Sequence, residues 1–233
     1  MTTLSLTQPF PDGASRAERT SRSTRVQPLS AAAAAALPDT ELWQAFKAGA
    51  RTAYAELYER YFSELYAYGL KIIRNEAQTQ DCLCDFFLYL WDHREGLADL
   101  EQVKYYLLKA FRHRAIRHLK KRQNLLQREQ RYTAEEVRFQ FAQTELEDES
   151  DIERLRKTYT AALLNQLSER QREIVFLRYY ENLTIKEIAA VLDLKEQSVL
   201  NHLQRIFKKL RAANPSVFPE VLAMMAMFSL YFV

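Results

Sequence analysis

Glycine is scarce: four in 233 residues, one of them in an N-terminal stretch rich in Ser, Thr and Pro. Hairpin turns favour residues that accept positive φ, so a sheet-rich fold has few places to turn. Neither G-x-G-x-x-G nor G-x-x-x-x-G-K occurs, which argues against dinucleotide-binding and P-loop enzymes. Cysteine is limited to Cys82 and Cys84. A helix sets those two about 200° apart, so one metal or one disulfide can hardly use both, and reduced thiols of a cytoplasmic protein are the expectation. The four histidines, His93, His113, His118 and His202, form no H-E-x-x-H and no Cys/His cluster. No metal site and no cofactor are expected. Long apolar runs are also missing. The most apolar stretch, 221–233, reaches only about 20 Å as a helix against a hydrocarbon core of roughly 30 Å, so no stable membrane insertion is expected.

Charge is present in abundance but unevenly spread. The net value of +3 hides a basic block over 104–122, with Lys104, Lys109, Arg112, Arg114, Arg117, Lys120, Lys121 and Arg122 and no acid. It hides an acidic block over 135–153 too, where eight Asp and Glu face Arg138 alone. A basic block interleaved with Tyr105, Tyr106 and Phe111 suits nucleic acid, because cations neutralise phosphate and aromatic faces stack on bases. Taken singly, each of those aromatics reads as core.

The apolar pattern is helical throughout. Leu42, Trp43 and Phe46, then Tyr54, Leu57, Tyr58, Tyr61, Phe62 and Leu65 recur at spacings of three and four. A run over 81–91 puts Leu83, Phe87, Leu90 and Trp91 on one side, with Asp81 and Asp85 a turn apart on another. A fourth run covers about 103–131. Residues 1–38, including the Ala31–Ala36 run, lack sustained periodicity and are expected to form a disordered leader outside the fold.

A second module opens at Ser168, whose Ser-Glu-Arg-Gln forms a capping box, followed by a stripe of Ile174, Val175, Leu177 and Tyr179. Thr184-Ile185-Lys186-Glu187 is another capping box, starting a short helix with Ile188, Ala189 and Leu192 inward. Asp193, tolerant of a left-handed turn, separates it from a helix over about 196–211. Short helix, tight turn and longer helix make a helix-turn-helix. In the longer helix Val199, Leu203, Ile206 and Leu210 face inward, leaving Gln197, Ser198, Asn201, Gln204, Arg205 and Lys208 outward. Those are base-reading and phosphate-binding types, although a merely solvated face would carry similar charges.

The segments AYAELYERYFSELYAYGLKII, QDCLCDFFLYLW and VKYYLLKAFRHRAIRHLKKR, followed by LLNQLSERQREIVFLRYYENLTIKEIAAVLDLKEQSVLNHLQRIFKKLR, resemble bacterial sigma factors of the compact extracytoplasmic-function group. That group keeps regions two and four. The resemblance implies an all-α protein of two small helical domains joined by an acidic linker: leader 1–38, region two 39–128, linker 129–158, region four 159–213 and an apolar tail 214–233. It implies a non-enzymatic factor that brings bacterial RNA polymerase core to promoter DNA, with an anti-sigma factor as a further partner.

By the same resemblance, Asp81 and Asp85 contact the polymerase clamp. Tyr105, Tyr106, Arg112, His113, Arg114, Arg117, Lys120 and Lys121 form the surface for the minus-ten element. Gln197, Ser198, Leu200, Asn201 and Gln204 meet the bases of the minus-thirty-five element, and Arg205 and Lys208 its phosphates. The linker's negative charge would mimic a nucleic-acid backbone. The sequence departs from the family at Cys84, Asp193 and Leu200, where many members carry Gln, Gly and Lys, and Leu200 would meet a thymine methyl. The competing reading is a helix-turn-helix regulator that binds duplex DNA without polymerase.

Overall fold

The computed structural model describes residues 30–128, 139 and 160–213, and every regular element among them is helical. The first helix, α1 (Ala31–Ala36), lies in the stretch expected to be a leader outside the fold. Alanine has the highest helix propensity, but six residues are too few to hold a helix alone. Tertiary contacts supply the rest. Ser30 caps its N-terminus, Ala34 is buried, and the Arg60 guanidinium donates to the Ala35 and Leu37 carbonyls at 3.3 and 3.2 Å. Arg60 also pairs with Asp39 at 2.6 Å, tying this segment to the next helix.

Helices α2 (Asp39–Lys47) and α3 (Arg51–Ile73) follow the expected periodicity. Leu42, Trp43 and Phe46 of α2 and Leu57, Tyr61, Leu65 and Tyr68 of α3 are buried. Arg74 ends α3 in the left-handed region, and Asn75 caps α4 (Glu76–His93), which starts five residues before the expected run. A short 3₁₀ turn (Arg94–Gly96) leads to a loop that Trp43 pins by donating its indole N–H to the Ala98 carbonyl at 3.0 Å. Helix α5 (Val103–Arg128) closes this group, with Leu107, Leu108, Phe111 and Ala115 inward.

Helices α3, α4 and α5 meet at Gly69. A β-carbon there would stand 2.8 Å from the Phe111 ring and 2.9 Å from the Thr79 methyl, so only glycine lets the three backbones approach this far.

The second group contains α6 (160–165), α7 (Glu169–Val175), α8 (Ile185–Val191) and α9 (Glu196–Ala213). Both expected capping boxes are formed, at Ser168 with Gln171 and at Thr184 with Glu187. Asp193 takes φ 53°, the left-handed turn expected between α8 and α9. One departure is the π turn Phe176–Tyr180 that extends α7. Its wider turn shifts the register, so Phe176 joins Ile174, Val175 and Leu177 in the core while Tyr179 is only half-buried. The two groups pack directly on each other, with α5 against α8, and share one apolar core. Phe139 is buried in their seam, its ring 6.2 Å from Tyr68 and 5.8 Å from Phe176.

Replacing Gly69 by Ala should therefore destabilise the protein by about 1–3 kcal/mol despite the better helix propensity of alanine, because Phe111 must move. Urea unfolding followed by circular dichroism measures the shift. A gain in stability would mean that the three-helix contact relaxes freely.

Candidate nucleic-acid and polymerase interfaces

Three helix faces carry the expected site residues. On α4, Asp81 and Asp85 are exposed, while Leu83 and Phe87 are buried as the periodicity demands. Residues 81, 85, 88 and 92 fall at helical spacing along one outer stripe, so Asp81, Asp85, Leu88 and Asp92 form an acidic face around a leucine that is 59% exposed. Leu88 was not among the expected contacts. Its signal was legible, since it lies outside the core register of Leu83, Phe87 and Leu90. Asp85 does not stand alone: Arg114 of α5 approaches its carboxylate to 3.5 Å and lies over the Tyr89 ring at 5.6 Å.

Helix α5 divides the expected minus-ten residues sharply. Tyr106 sits half-buried with its ring edge-on to Trp43 at 5.5 Å, and burial pushes its phenol up to about 12. Tyr105 is half-buried, and burial raises its phenol as well. Arg112 is 8% exposed and its Nε donates to Glu173 of α7 at 2.8 Å. The Glu173 carboxylate also accepts the Tyr68 hydroxyl at 2.8 Å and is itself 7% exposed. In this arrangement Arg112 is enclosed between the two helical groups instead of presented to DNA. A guanidinium cannot shed its proton, so once buried it needs a carboxylate beside it.

The neighbouring cations follow the same rule. Lys104 Nζ lies 3.1 Å from Glu64 and 3.2 Å from Glu181, the residue that follows the π turn. Lys109 Nζ and His113 Nε2 each lie 3.6 Å from the Asp193 carboxylate. Burial holds the His113 imidazole below its ordinary range, against the opposing pull of Asp193. Only towards the far end of α5 do Arg117, Lys120 and Lys121 stand in solvent.

The outer face of α9 is open. Val199, Leu203, Ile206 and Leu210 are buried as expected, and Gln197, Asn201, Gln204, Arg205 and Lys208 are exposed, with Ser198 half-buried. Gln197 donates to the Asn201 side chain at 3.1 Å, which orients two amides on one surface. Leu200 is 41% exposed in the middle of that polar surface. Among the described residues no group of three His, Cys, Asp or Glu is placed to hold a metal, and no helix is long and apolar enough to cross a membrane.

Residues 158–210, which span α6–α8 and most of α9, match the family model for sigma-70 region 4. Over 160 residues the chain is 29% identical to the ECF RNA polymerase sigma factor SigX of Bacillus subtilis (strain 168), spanning 66% of this chain and 80% of that protein. The chain belongs to the extracytoplasmic-function group of sigma-70 family sigma factors. A 52-residue stretch is 48% identical to the RNA polymerase sigma-F factor of Kitasatospora aureofaciens, covering 22% of this chain and 18% of that protein.

The fold of this sigma factor is similar to two solved structures. One is CnrH in complex with the cytosolic domain of CnrY, with a TM-score of 0.52 and 19% identity over 75% of this chain and 96% of that one. The other is the sigma factor RpoE in complex with the anti-sigma factor NepR from Bartonella quintana, with a TM-score of 0.50 and 18% identity over 68% and 94%.

Sequence reasoning missed the acids that meet α5 in this sigma factor: Glu173, Glu181 and Asp193. Glu173 adjoins the apolar stripe that begins at Ile174, and that adjacency was its one local signal. Glu181 shows the cost of its position. Burial pushes its carboxyl from the ordinary 4.5 up to about 7, against the opposing pull of Lys104. A raised carboxyl pKa means that the folded state binds the proton more tightly than the unfolded one. The stabilisation it brings is full below about 4.5 and is lost as pH rises through about 7. Glu181→Gln should remove this dependence, so the melting temperature of the variant should gain on that of the parent as pH rises across this window. A difference in melting temperature that stays constant with pH would exclude a raised carboxyl at this site.

Proposed function

We propose that this sigma factor, which directs bacterial RNA polymerase to promoters and performs no covalent chemistry of its own, divides its work among three helix faces. The stripe Asp81, Asp85, Leu88 and Asp92 of α4 docks on the polymerase core. An acidic rim around one exposed apolar side chain is the composition of a protein-binding patch, since the leucine is dehydrated on contact while the carboxylates select a basic partner. Helix α5 holds the opened minus-ten strand with Arg114, Arg117, Lys120 and Lys121 and with Tyr106 beside Trp43, joined by Tyr105, Arg112 and His113 when the second helical group moves away. Extruded bases cost stacking energy, and cations and aromatic faces offset it.

Helix α9 enters the major groove of the minus-thirty-five element. Gln197, Ser198, Asn201 and Gln204 meet base edges, Arg205 and Lys208 meet phosphates, and Leu200 covers a thymine methyl. The observation that carries this reading is the α9 surface: amides and cations on the outward side of a capped helix-turn-helix, with its apolar side fully used in packing. The factor works in the bacterial cytoplasm, where its polymerase and promoters are. Its partners there include an anti-sigma factor, a role suggested by the complexes in which its structural neighbours were solved.

Two measurements test the division. Gel filtration with bacterial core polymerase should give a stable complex, which Asp85→Lys and Leu88→Asp should each weaken by at least about tenfold while the helical circular dichroism stays unchanged. Equal affinity for core polymerase would remove the α4 assignment. Arg205→Ala should weaken binding to promoter DNA and lower the slope of log affinity against log salt by about one unit, as expected for one lost phosphate contact. An unchanged slope would reject that role.

A further inference from the structure

Helix α3 carries an aromatic face that the three assigned surfaces leave unused. Tyr54, Tyr58, Phe62 and Tyr66 recur every four residues along it, and all four are half-buried. Their rings form a ladder: Tyr58 and Phe62 lie 5.0 Å apart, and Phe62 and Tyr66 lie 5.9 Å apart and within 7° of parallel. Ala55, Glu59, Ser63 and Ala67 stand beside them in solvent, so Glu59 is the one charged residue on this face. Helix α4 supplies a second wall. Phe87 lies 4.8 Å from Tyr58, and Trp91 lies 5.1 Å from Tyr54, which joins the two helices at the floor of a groove. Cys84 and Leu88 stand exposed on its rim. Burial raises the phenols of Tyr54 and Tyr58, and the neighbouring Cys84 raises both further. Helix α1 is held at Arg60, about 200° round α3 from Tyr58, and the second helical group meets α3 at Tyr68, beyond the end of the ladder.

We propose that this groove between α3 and α4 is the docking site of the chain's own apolar segment 217–233, which covers Leu88 when it is seated. Residues 214–233 lie outside the described residues, and their sequence selects them as the occupant. Glu220 is the one charged residue among them, and 221–233 carries none. Such a run leaves water favourably wherever an apolar surface receives it. Val221, Met224, Met225 and Phe228 fall at the spacing of one helix face, the pattern by which a helix fills an apolar groove. Methionine suits an aromatic wall, because its thioether is flexible and polarisable and contacts ring edges favourably. Reach is sufficient: twenty residues span up to about 66 Å when extended, against roughly 40 Å across a domain of this size. Leu88 belongs both to the groove and to the acidic stripe of α4. On the reading of that stripe as the polymerase surface, the seated segment and the polymerase compete for one leucine.

The test uses the full chain with Cys84 as its reporter, since Cys82 is buried. Val221→Cys, Met225→Cys and Phe228→Cys, made one at a time, place a thiol along the segment. Under oxidised glutathione at least one of them should form an intramolecular disulfide with Cys84, identified by peptide mass spectrometry, because bridged Cα atoms must come within about 7 Å. Closure should be at least about tenfold faster than for Ser216→Cys, which precedes the apolar run. Ser63→Arg, an exposed substitution on the ladder face, should slow that closure about tenfold with unchanged helical circular dichroism. Rates no faster than that of Ser216→Cys at all three positions, or a rate that Ser63→Arg leaves untouched, would overturn the proposal. So would disulfide-linked dimers whose yield grows with protein concentration, which assign the groove to a second copy, and partition into phosphatidylcholine vesicles without closure, which assigns the segment to a lipid surface.

Core polymerase separates the docking from the α4 reading. Met225→Lys with Phe228→Lys, in the full chain, should tighten core binding by about tenfold, the gain expected when a competent state populated at about one part in ten becomes dominant. If no cysteine closes on Cys84 while Leu88→Asp still weakens core binding, the docking is overturned and the α4 reading stands. If closure occurs but core binding is indifferent to Leu88→Asp, the segment occupies the groove and the competition with polymerase falls together with the α4 reading.

Discussion

A guanidinium placed between two helical groups must be matched by a carboxylate, and the Arg112–Glu173 pair meets that constraint with Tyr68 as a third member. Much of the geometry around the seam follows from it. Tyr68 reaches the carboxylate from α3, one residue before the glycine that lets α3, α4 and α5 close on each other. The π turn that follows α7 brings Phe176 against Tyr68 with nearly parallel rings, 5.6 Å apart, and leads into Glu181. The position of α7 thus sets where the second acid falls. Because α8 and α9 continue from that turn through a capped start and a left-handed Asp193, the third acid arrives beside Lys109 and His113 by the same rigid path.

Charge that looks redundant along the chain becomes specialised in space. Of the eight cations between 104 and 122, Arg112 is consumed in a buried pair and Lys104 lies between two glutamates. Arg114 is shared with the Asp85 carboxylate, while Lys120, Lys121 and Arg122 face water. Local net charge overstates what such a helix presents to DNA, because internal acids neutralise part of it before any ligand arrives. The opposite holds for α9, where a polar face with few internal partners presents nearly its full hydrogen-bonding capacity.

The apolar residues left in solvent are informative for the same reason. Among the described residues Leu88 and Leu200 are the large apolar side chains most exposed, and each lies on a face independently marked for binding. Leu88 sits among carboxylates and Leu200 among amides and cations. The two leucines thus have different chemical surroundings, suited to a basic protein surface in one case and to a base edge in the other.

The all-helical class, the runs that became α2–α5 and α7–α9, both capping boxes, the left-handed turn at Asp193 and the inward residues of α9 were legible in the sequence. All of these depend on neighbours within one or two turns, and spacing and side-chain chemistry specify them locally. The family was legible too, since it rests on ordered motifs rather than on packing. What the tertiary structure alone decided is which of those residues meet one another. The Ala31–Ala36 run is helical because Arg60, more than twenty residues away, takes its carbonyls. Arg112 is closed off because Glu173 stands 61 residues later in the chain. No periodicity encodes contacts at such separations. They arise only when helices dock and exclude water, and that exclusion turns an ordinary surface cation into half of an obligatory pair.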